Sequence, residues 1–277
     1  MKIITPAESR QVILITGASS GLGKTTATLL AQSGYIVYGT SRKVSPDLNG
    51  IRMLAMDVTQ PDSIRKAIEQ IIAEQGRLDI LINNAGLGIS GALELETEEE
   101  ITKQMNTNFM GVVHTCRAVI PVMRQAGKGL IITISSIGGV IAVPFQGFYS
   151  ASKFAVEGYS EALLHEVRPF GIRICLVEPG DFCTNFTSNR SISSATLNDP
   201  NYRETFTRVM ASIEKMEKNG AHPDKLARCI ERLIRKKRPP FRTRTGPLTQ
   251  VLFARCKSWL PDRLVHWVVR TGYHFDK

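Results

Sequence analysis

Cysteine is scarce and shows no pairing pattern. The chain has five, an odd number, with none at CxxC spacing. That argues against a disulfide framework or a thiolate zinc site and points to a reducing compartment. The five histidines, at 114, 165, 222, 266 and 274, form no spaced cluster, so no metal is expected. No apolar stretch of signal-peptide length opens the chain. The longest uncharged stretch, residues 129–152, is interrupted by Gly138, Gly139 and Pro144 and makes a poor membrane span. These absences together favour a cytoplasmic protein. No RNA-binding motif accompanies the basic residues, and no nucleic-acid partner is expected.

What is present suits one large α/β domain: 277 residues, 43% of them hydrophobic and 22% charged. The net charge of +10 is unevenly placed. From Lys225 onward there are fourteen Lys or Arg against three acids, so the preceding residues are nearly neutral. The basic segment suits a solvated face, an acidic membrane surface or acidic substrates.

Short apolar runs at Val12–Ile15, Tyr35–Gly39, Met53–Met56, Ile80–Ile82, Leu130–Ile134 and Ile174–Val177 read as strands buried on both faces. Helical patterns lie between and after them, near 22–33, 61–75, 97–126, 147–170 and 223–236. Thr59 is a candidate N-cap with Pro61 near the first helical position. This alternation predicts a doubly wound sheet with right-handed crossovers. A last strand is expected near Phe241–Thr245. Residues 181–222 are polar and break the rhythm, so they are expected to form a substrate lid of loops and short helices. The expected organisation is a catalytic domain over 1–247 with an extension of the same domain over 248–277.

The first strand runs into Thr16-Gly17-Ala18-Ser19-Ser20-Gly21-Leu22-Gly23 and then a helix. Glycines let the backbone turn tightly and approach a pyrophosphate, and the helix N-terminus offers unpaired N–H groups. Ala18 to Thr25 nearly matches the G-x-x-x-x-G-K-T loop of nucleoside triphosphatases, but Ala18 replaces the first glycine. A further absence bears on cofactor choice. No Asp or Glu lies between Glu8 and Asp47, where an acid would bind the 2′-hydroxyl of NAD. The second strand ends in Thr40-Ser41-Arg42-Lys43, a hydroxyl and two cations suited to the 2′-phosphate of NADP. NADP(H) is therefore expected over NAD(H).

Tyr149-Ser150-Ala151-Ser152-Lys153 places a phenol and an ammonium four residues apart at a helix start, on one face. The ammonium is expected to lower the phenol pKa and so equip it for acid–base work. Ser136 ends the strand thirteen residues earlier, where open α/β sheets bind ligands. Its hydroxyl is placed to hold a substrate oxygen as charge develops.

With these elements in order, the chain resembles the single-domain short-chain dehydrogenase/reductase family over about residues 11–245. Thr16–Gly23 looks like its glycine loop, and Asp57-Val58 its adenine contact. Asn83-Asn84-Ala85-Gly86 is similar to its sheet-stabilising motif beside the cofactor. Asn108 matches its fourth catalytic residue, Ser136, Tyr149 and Lys153 its triad, and Pro179-Gly180 with Thr184 its nicotinamide-holding segment. The resemblance implies a Rossmann fold with a mostly parallel seven-stranded sheet and a C-terminal helical extension. Tyr149 would be the acid/base, Lys153 would bind ribose and tune it, and Ser136 would position substrate. Asn108 would keep a water in a relay with Lys153. The resemblance also implies a homodimer or homotetramer paired through the helices at 97–126 and 147–170.

The expected reaction is hydride transfer between NADP(H) and a carbonyl or alcohol. The alternative is a catalytically idle NADP-binding sensor or scaffold, which would not need to keep Tyr149, Lys153, Ser136 and Asn108 together. Phe182, Phe186, Tyr202, Phe206 and Met210 of the lid, with Ile137, Val140, Ile141, Val143 and Phe145, are expected to make an apolar pocket. That favours a lipophilic ketone or aldehyde, such as a steroid, retinoid or long-chain carbonyl, and the overall pattern looks like the steroid and retinol dehydrogenase branch. The extension should hold a helix from about Pro261, with Leu264, Trp267, Val268 and Tyr273 on one face. Such a helix suits a membrane interface, a second subunit or the chain's own body.

Overall fold

The computed structural model describes residues 10–43 and 46–275. In chain order the elements are β1 (Val12–Ile15), α1 (Gly21–Gln32), β2 (Ile36–Ser41), β3 (Ile51–Ala55), α2 (Pro61–Gln75), β4 (Ile80–Asn83) and β5 (Ile89–Ser90). There follow α3 (Glu98–Met105), a π turn (Asn106–Met110), α4 (Gly111–Gln125), β6 (Gly129–Ile134), α5 (Gly147–Val167) and β7 (Ile172–Pro179). The last third contains β8 (Ser191–Ile192), α6 (Ser194–Asn198), α7 (Arg203–Lys218), α8 (Pro223–Arg235), β9 (Arg242–Thr245), α9 (Leu248–Cys256) and α10 (Asp262–Gly272).

Seven strands form one sheet in the order β3-β2-β1-β4-β6-β7-β9, and every pairing is parallel. Alternate side chains of a strand leave on opposite faces, so two cores form. Val12 and Leu14 of β1 join one, with Ile64, Ile68 and Ile71 of α2, Val119 of α4 and Val156 of α5. Ile13 and Ile15 join the other, with Ala27 and Leu30 of α1 and Leu226 and Ile230 of α8. The fully apolar β1 and β4 follow from this double cover.

Three expectations change. The helix expected across 97–126 is α3 and α4 joined by the π turn, in which the Gly111 N–H bonds back to the Asn106 carbonyl. α3 starts from a capping box in which Thr97 and Glu100 bond reciprocally, a local signal that the helix stops and starts are governed by polar side chains. The N-cap of α2 is Gln60 and not Thr59, because both the Thr59 N–H and its hydroxyl donate to Asp57 Oδ1, at 2.9 and 2.7 Å. The region expected to hold loops and short helices contains α7, sixteen residues long, whose Phe206, Val209, Met210 and Ile213 are buried. Its β8 pairs with β5 as a second small parallel ladder.

β9 is held to β7 by charge as well as by backbone bonds. Glu178 is fully buried, and Arg244 Nε donates to it at 2.5 Å, with Arg242 Nε at 3.6 Å. Burial raises the Glu178 pKa, and the neighbouring Glu157 adds to the rise, while the two arginines oppose it. Arg244→Met should cost roughly 3 kcal/mol, the low end for breaking a buried pair, because Arg242 remains nearby. Urea denaturation checks this. A double Glu178→Met, Arg244→Met variant should recover most of the loss; an equal or larger loss in the double variant would mean the pair is not the cause.

Candidate active site

The carboxyl ends of β1, β2, β4, β6 and β7 open onto a cavity of about 900 Å³. One end of it is built by the glycine loop. Gly17, at φ +66°, has no room for a side chain: a Cβ there would meet the Ala85 backbone at 2.9 Å. At Gly23 a Cβ would fall 2.3 Å from the Asn84 amide and the Gly17 carbonyl. Gly21, at φ +54°, instead faces open space, with only Thr184 as near as 3.9 Å. Ser20 precedes α1 without a capping bond from its side chain, and no acid sits in the first turn. The positive end of the helix is thus left to the cavity, a cradle that fits a pyrophosphate.

Ser19, Ser20, Leu22, Ser41, Arg42, Asp57, Val58, Asn84, Ala85 and Gly86 continue the lining, and Pro179, Gly180 and Thr184 close it near Tyr149. Thr16 lies elsewhere than expected. It is buried behind the loop, where its hydroxyl accepts the N–H groups of Asn84 and Ala85, each at 2.9 Å. Asn84 Nδ2 returns bonds to the carbonyls of Thr16 and Gly17, at 2.9 and 3.0 Å. Thr16 therefore holds the loop's shape. Asn83 is structural as expected, accepting from Thr115 at 2.6 Å and donating to Thr133.

Ser136, Tyr149 and Lys153 converge on this lining. The Ser136 hydroxyl accepts the Gly138 N–H at 2.9 Å and is hydrogen-bonded to Tyr149. Lys153 Nζ donates to the Ile134 carbonyl at 2.9 Å and lies 5.8 Å from the centre of the Tyr149 ring. Burial pushes the Tyr149 phenol above its ordinary pKa, although the bond to Ser136 acts the other way. The net shift is upward, opposite to the lowering expected from Lys153, and the cation acting on the phenol is Arg190. Lys153 is itself pulled down to about 8 by burial, with Glu157 opposing. A low-dielectric pocket disfavours both charged forms.

Asn108 sits buried inside the π turn. Its Oδ1 accepts the Leu87 N–H at 2.9 Å, and its Nδ2 donates to the Leu87 carbonyl at 3.0 Å and to Ser152 at 3.1 Å. The side-chain amide is thus engaged by protein partners, and it ties the π turn to α5 next to Lys153.

The substrate end of the cavity holds Ile137, Ile141, Val143, Phe182 and Phe186, with Ile213 and Met216 of α7. Phe206 and Met210 pack in a small core beneath it with Phe145, and Val140 and Tyr202 lie outside the lining. The sequence left open where the extension docks, and it singled out neither Gln250 and Phe253 nor the charged pairs of this end. Gln250, Phe253, Val268, Val269 and Tyr273 of the C-terminal extension form a wall, so the extension docks on the body. Its buried anchor is Val265, while the expected face residues Leu264 and Trp267 are exposed. Glu217 of α7 pairs with the buried Arg190, and Asp181 bonds Gln250. No local motif marks these pairs, because their partners are 27 and 69 residues apart.

Known proteins agree with this arrangement. The short chain dehydrogenase family matches residues 11–194. The 3-ketodihydrosphingosine reductase of Bacteroides thetaiotaomicron is 61% identical over 263 residues, which is 95% of this chain and 98% of the relative. Retinol dehydrogenase 8 of Bos taurus is 33% identical, over 87% of this chain and 83% of its own. The crystal structure of a short-chain dehydrogenase from Streptomyces avermitilis superposes with a TM-score of 0.81 at 31% identity, covering 96% of this chain and 97% of that one. On these matches the chain belongs to the short-chain dehydrogenase/reductase family of oxidoreductases.

Proposed function

We propose that the protein reduces a long-chain ketone with NADPH, and that Ser136, Tyr149 and Lys153 carry the proton chemistry. The observation that carries this is the convergence of those three side chains at the junction between the glycine-loop end and the apolar end of one cavity. The relative at 61% identity is named for 3-ketodihydrosphingosine, a saturated long-chain base with a ketone beside an amine-bearing carbon. A ketone of that kind suits a cavity walled by Ile141, Phe186, Ile213, Met216, Val268 and Val269.

When bound, the nicotinamide supplies the hydride. The chain's own residues hold the carbonyl and deliver the proton. Ser136, with its oxygen already accepting from Gly138, turns its own O–H toward the carbonyl oxygen. Tyr149 stays protonated at neutral pH because burial raises its pKa, so it is a donor to the developing alkoxide. Lys153, fixed by the Ile134 carbonyl, places positive charge beside the phenol and supports its anion after transfer. Asn108 positions Lys153 by holding Ser152 and the Leu87 loop. On the cofactor side, Gly17 to Gly23 and the N-terminus of α1 take the pyrophosphate. Asp57 and Val58 take the adenine, and Asn84, Ala85 and Gly86 flank the nicotinamide ribose, opposite Pro179, Gly180 and Thr184. Arg42, exposed at the end of β2 beside Ser41, takes the 2′-phosphate.

Tyr149→Phe should bind NADPH normally and lose about 10²- to 10⁴-fold in turnover of a long-chain 3-ketone, the usual worth of a general acid. Stopped-flow or steady-state NADPH consumption measures it, and near-normal turnover would remove Tyr149 from the reaction. Lys153 is charged below its pKa of about 8 and neutral above it. Reduction should therefore decline as pH rises through about 8, visible in a kcat/KM profile; a flat profile to pH 10 contradicts the role given to its charge. Arg42→Ala should raise KM for NADPH about tenfold, as expected for one charge-assisted bond, and leave NADH within about twofold. Equal effects on both cofactors would remove Arg42 from 2′-phosphate recognition.

A further inference from the structure

The proton chemistry above leaves three charged side chains of the substrate end without a role: Asp181, Arg190 and Glu217. Arg190 and Glu217 pair with each other, although Arg190 Nε is left without a partner among the described residues. The guanidinium donates to Glu217 Oε1, Thr187 donates to Oε2 at 2.6 Å, and the guanidinium carbon lies 5.6 Å from the Phe186 ring centre. The pair is deeply buried and neutral as a unit.

Asp181 is different. It follows Pro179-Gly180 at the end of β7 and lines the cavity with Tyr149. Its N–H donates to Gln250 Oε1 at 2.9 Å, and its Oδ2 accepts from Gln250 Nε2. Among the described residues its carboxylate makes no ion pair. Burial raises its pKa and Glu217 adds to the rise, while the bond from Gln250 and the charge of Arg190 oppose it. The acids Asp181 and Glu217 also act on the phenol of Tyr149, which places both within electrostatic reach of the reacting atoms. Asp181, Glu217 and Arg190 together carry one net negative charge whenever Asp181 is ionised. A partly buried carboxylate bonded to a neutral amide, on which Arg190 acts without forming an ion pair, carries a charge that a bound cation would relieve.

We propose that Asp181 receives the ammonium group of a 2-amino ketone while Tyr149 and Ser136 hold its carbonyl oxygen, so that the site selects amine-bearing long-chain ketones over plain ones. This rests on the reductase reading above and names its substrate class. The two polar groups of such a substrate are on adjacent carbons, so one carboxylate near the phenol can hold the amine. The alkyl chain is then left to the apolar wall of Ile213, Met216, Val268 and Val269. Gln250 sets the direction of the carboxylate, and in this way the C-terminal extension takes part in selection.

The test uses the full chain loaded with NADPH. Asp181→Asn keeps an oxygen that can accept from Gln250 and removes only the charge. Wild type should reduce a long-chain 2-amino-3-ketone with kcat/KM well above that for the matched 3-ketone without the amine. Asp181→Asn should lose 10- to 100-fold on the amino ketone, mainly through KM, and change less than about twofold on the plain ketone. Equal effects on both substrates, or none, overturn the proposal while leaving the reductase reading intact. A second measurement does not depend on turnover. Calorimetry on the NADP-loaded protein should show dodecylammonium binding more tightly than dodecanol to wild type and equally to Asp181→Asn. If wild type reduces neither ketone yet shows this amine preference and the variant loses it, the subsite stands and the assigned reaction falls. If the preference survives in Asp181→Asn, the subsite falls.

Discussion

The site depends on a single geometric constraint: all seven strands run the same way, so their carboxyl ends share one edge. Residues far apart in the chain meet there. Thr16 at the end of β1 grips Asn84 and Ala85 after β4, and this cross-strand latch gives the glycine loop its shape. Gly17 and Gly23 then approach Ala85 and Asn84 more closely than any side chain would allow. At the next strand along, the Ile134 carbonyl at the end of β6 anchors Lys153 from α5. The phosphate cradle and the proton-transfer group are therefore two ends of one construction.

Burial of the reacting groups works against their charged forms. Burial acts on acid and base alike, holding Tyr149 protonated and bringing Lys153 down toward neutrality. The carboxylates of Asp181 and Glu217 push the phenol further the same way. A sequence pattern with Tyr and Lys four apart suggests only their mutual attraction. The competing cost of burying both appears once the surrounding atoms are in place.

The C-terminal extension is part of the cavity. α9 supplies Gln250 and Phe253, and α10 supplies Val268, Val269 and Tyr273, with Val265 anchored beneath. Trp259, Leu264 and Trp267 remain on the outside. The amphipathic pattern of this segment correctly indicated a helix from about Pro261. It did not indicate which side faces inward, because both sides carry apolar residues and the choice is made by the shape of the surface against which the helix packs.

How much could be read in advance differs sharply between the sheet and the lid. Runs such as Val12–Ile15 and Ile80–Ile82 are apolar at every position, which only a strand covered on both faces requires, so the sheet was legible from composition alone. The glycine loop and the Tyr149–Lys153 spacing were legible for a similar reason: each is a local device whose geometry lies within a few residues. The lid was not. Residues 181–222 read as mostly polar because Arg190 and Thr187 pair with Glu217 across the fold, and the 16-residue α7 buries only one face. Local chemistry thus sufficed for the fold class, the cofactor cradle and the reacting side chains. The occupants of the substrate end, namely Asp181, Gln250, the Arg190–Glu217 pair and the inner face of α10, were decided by packing between segments tens of residues apart, and no short-range pattern encodes which distant groups will be brought into contact.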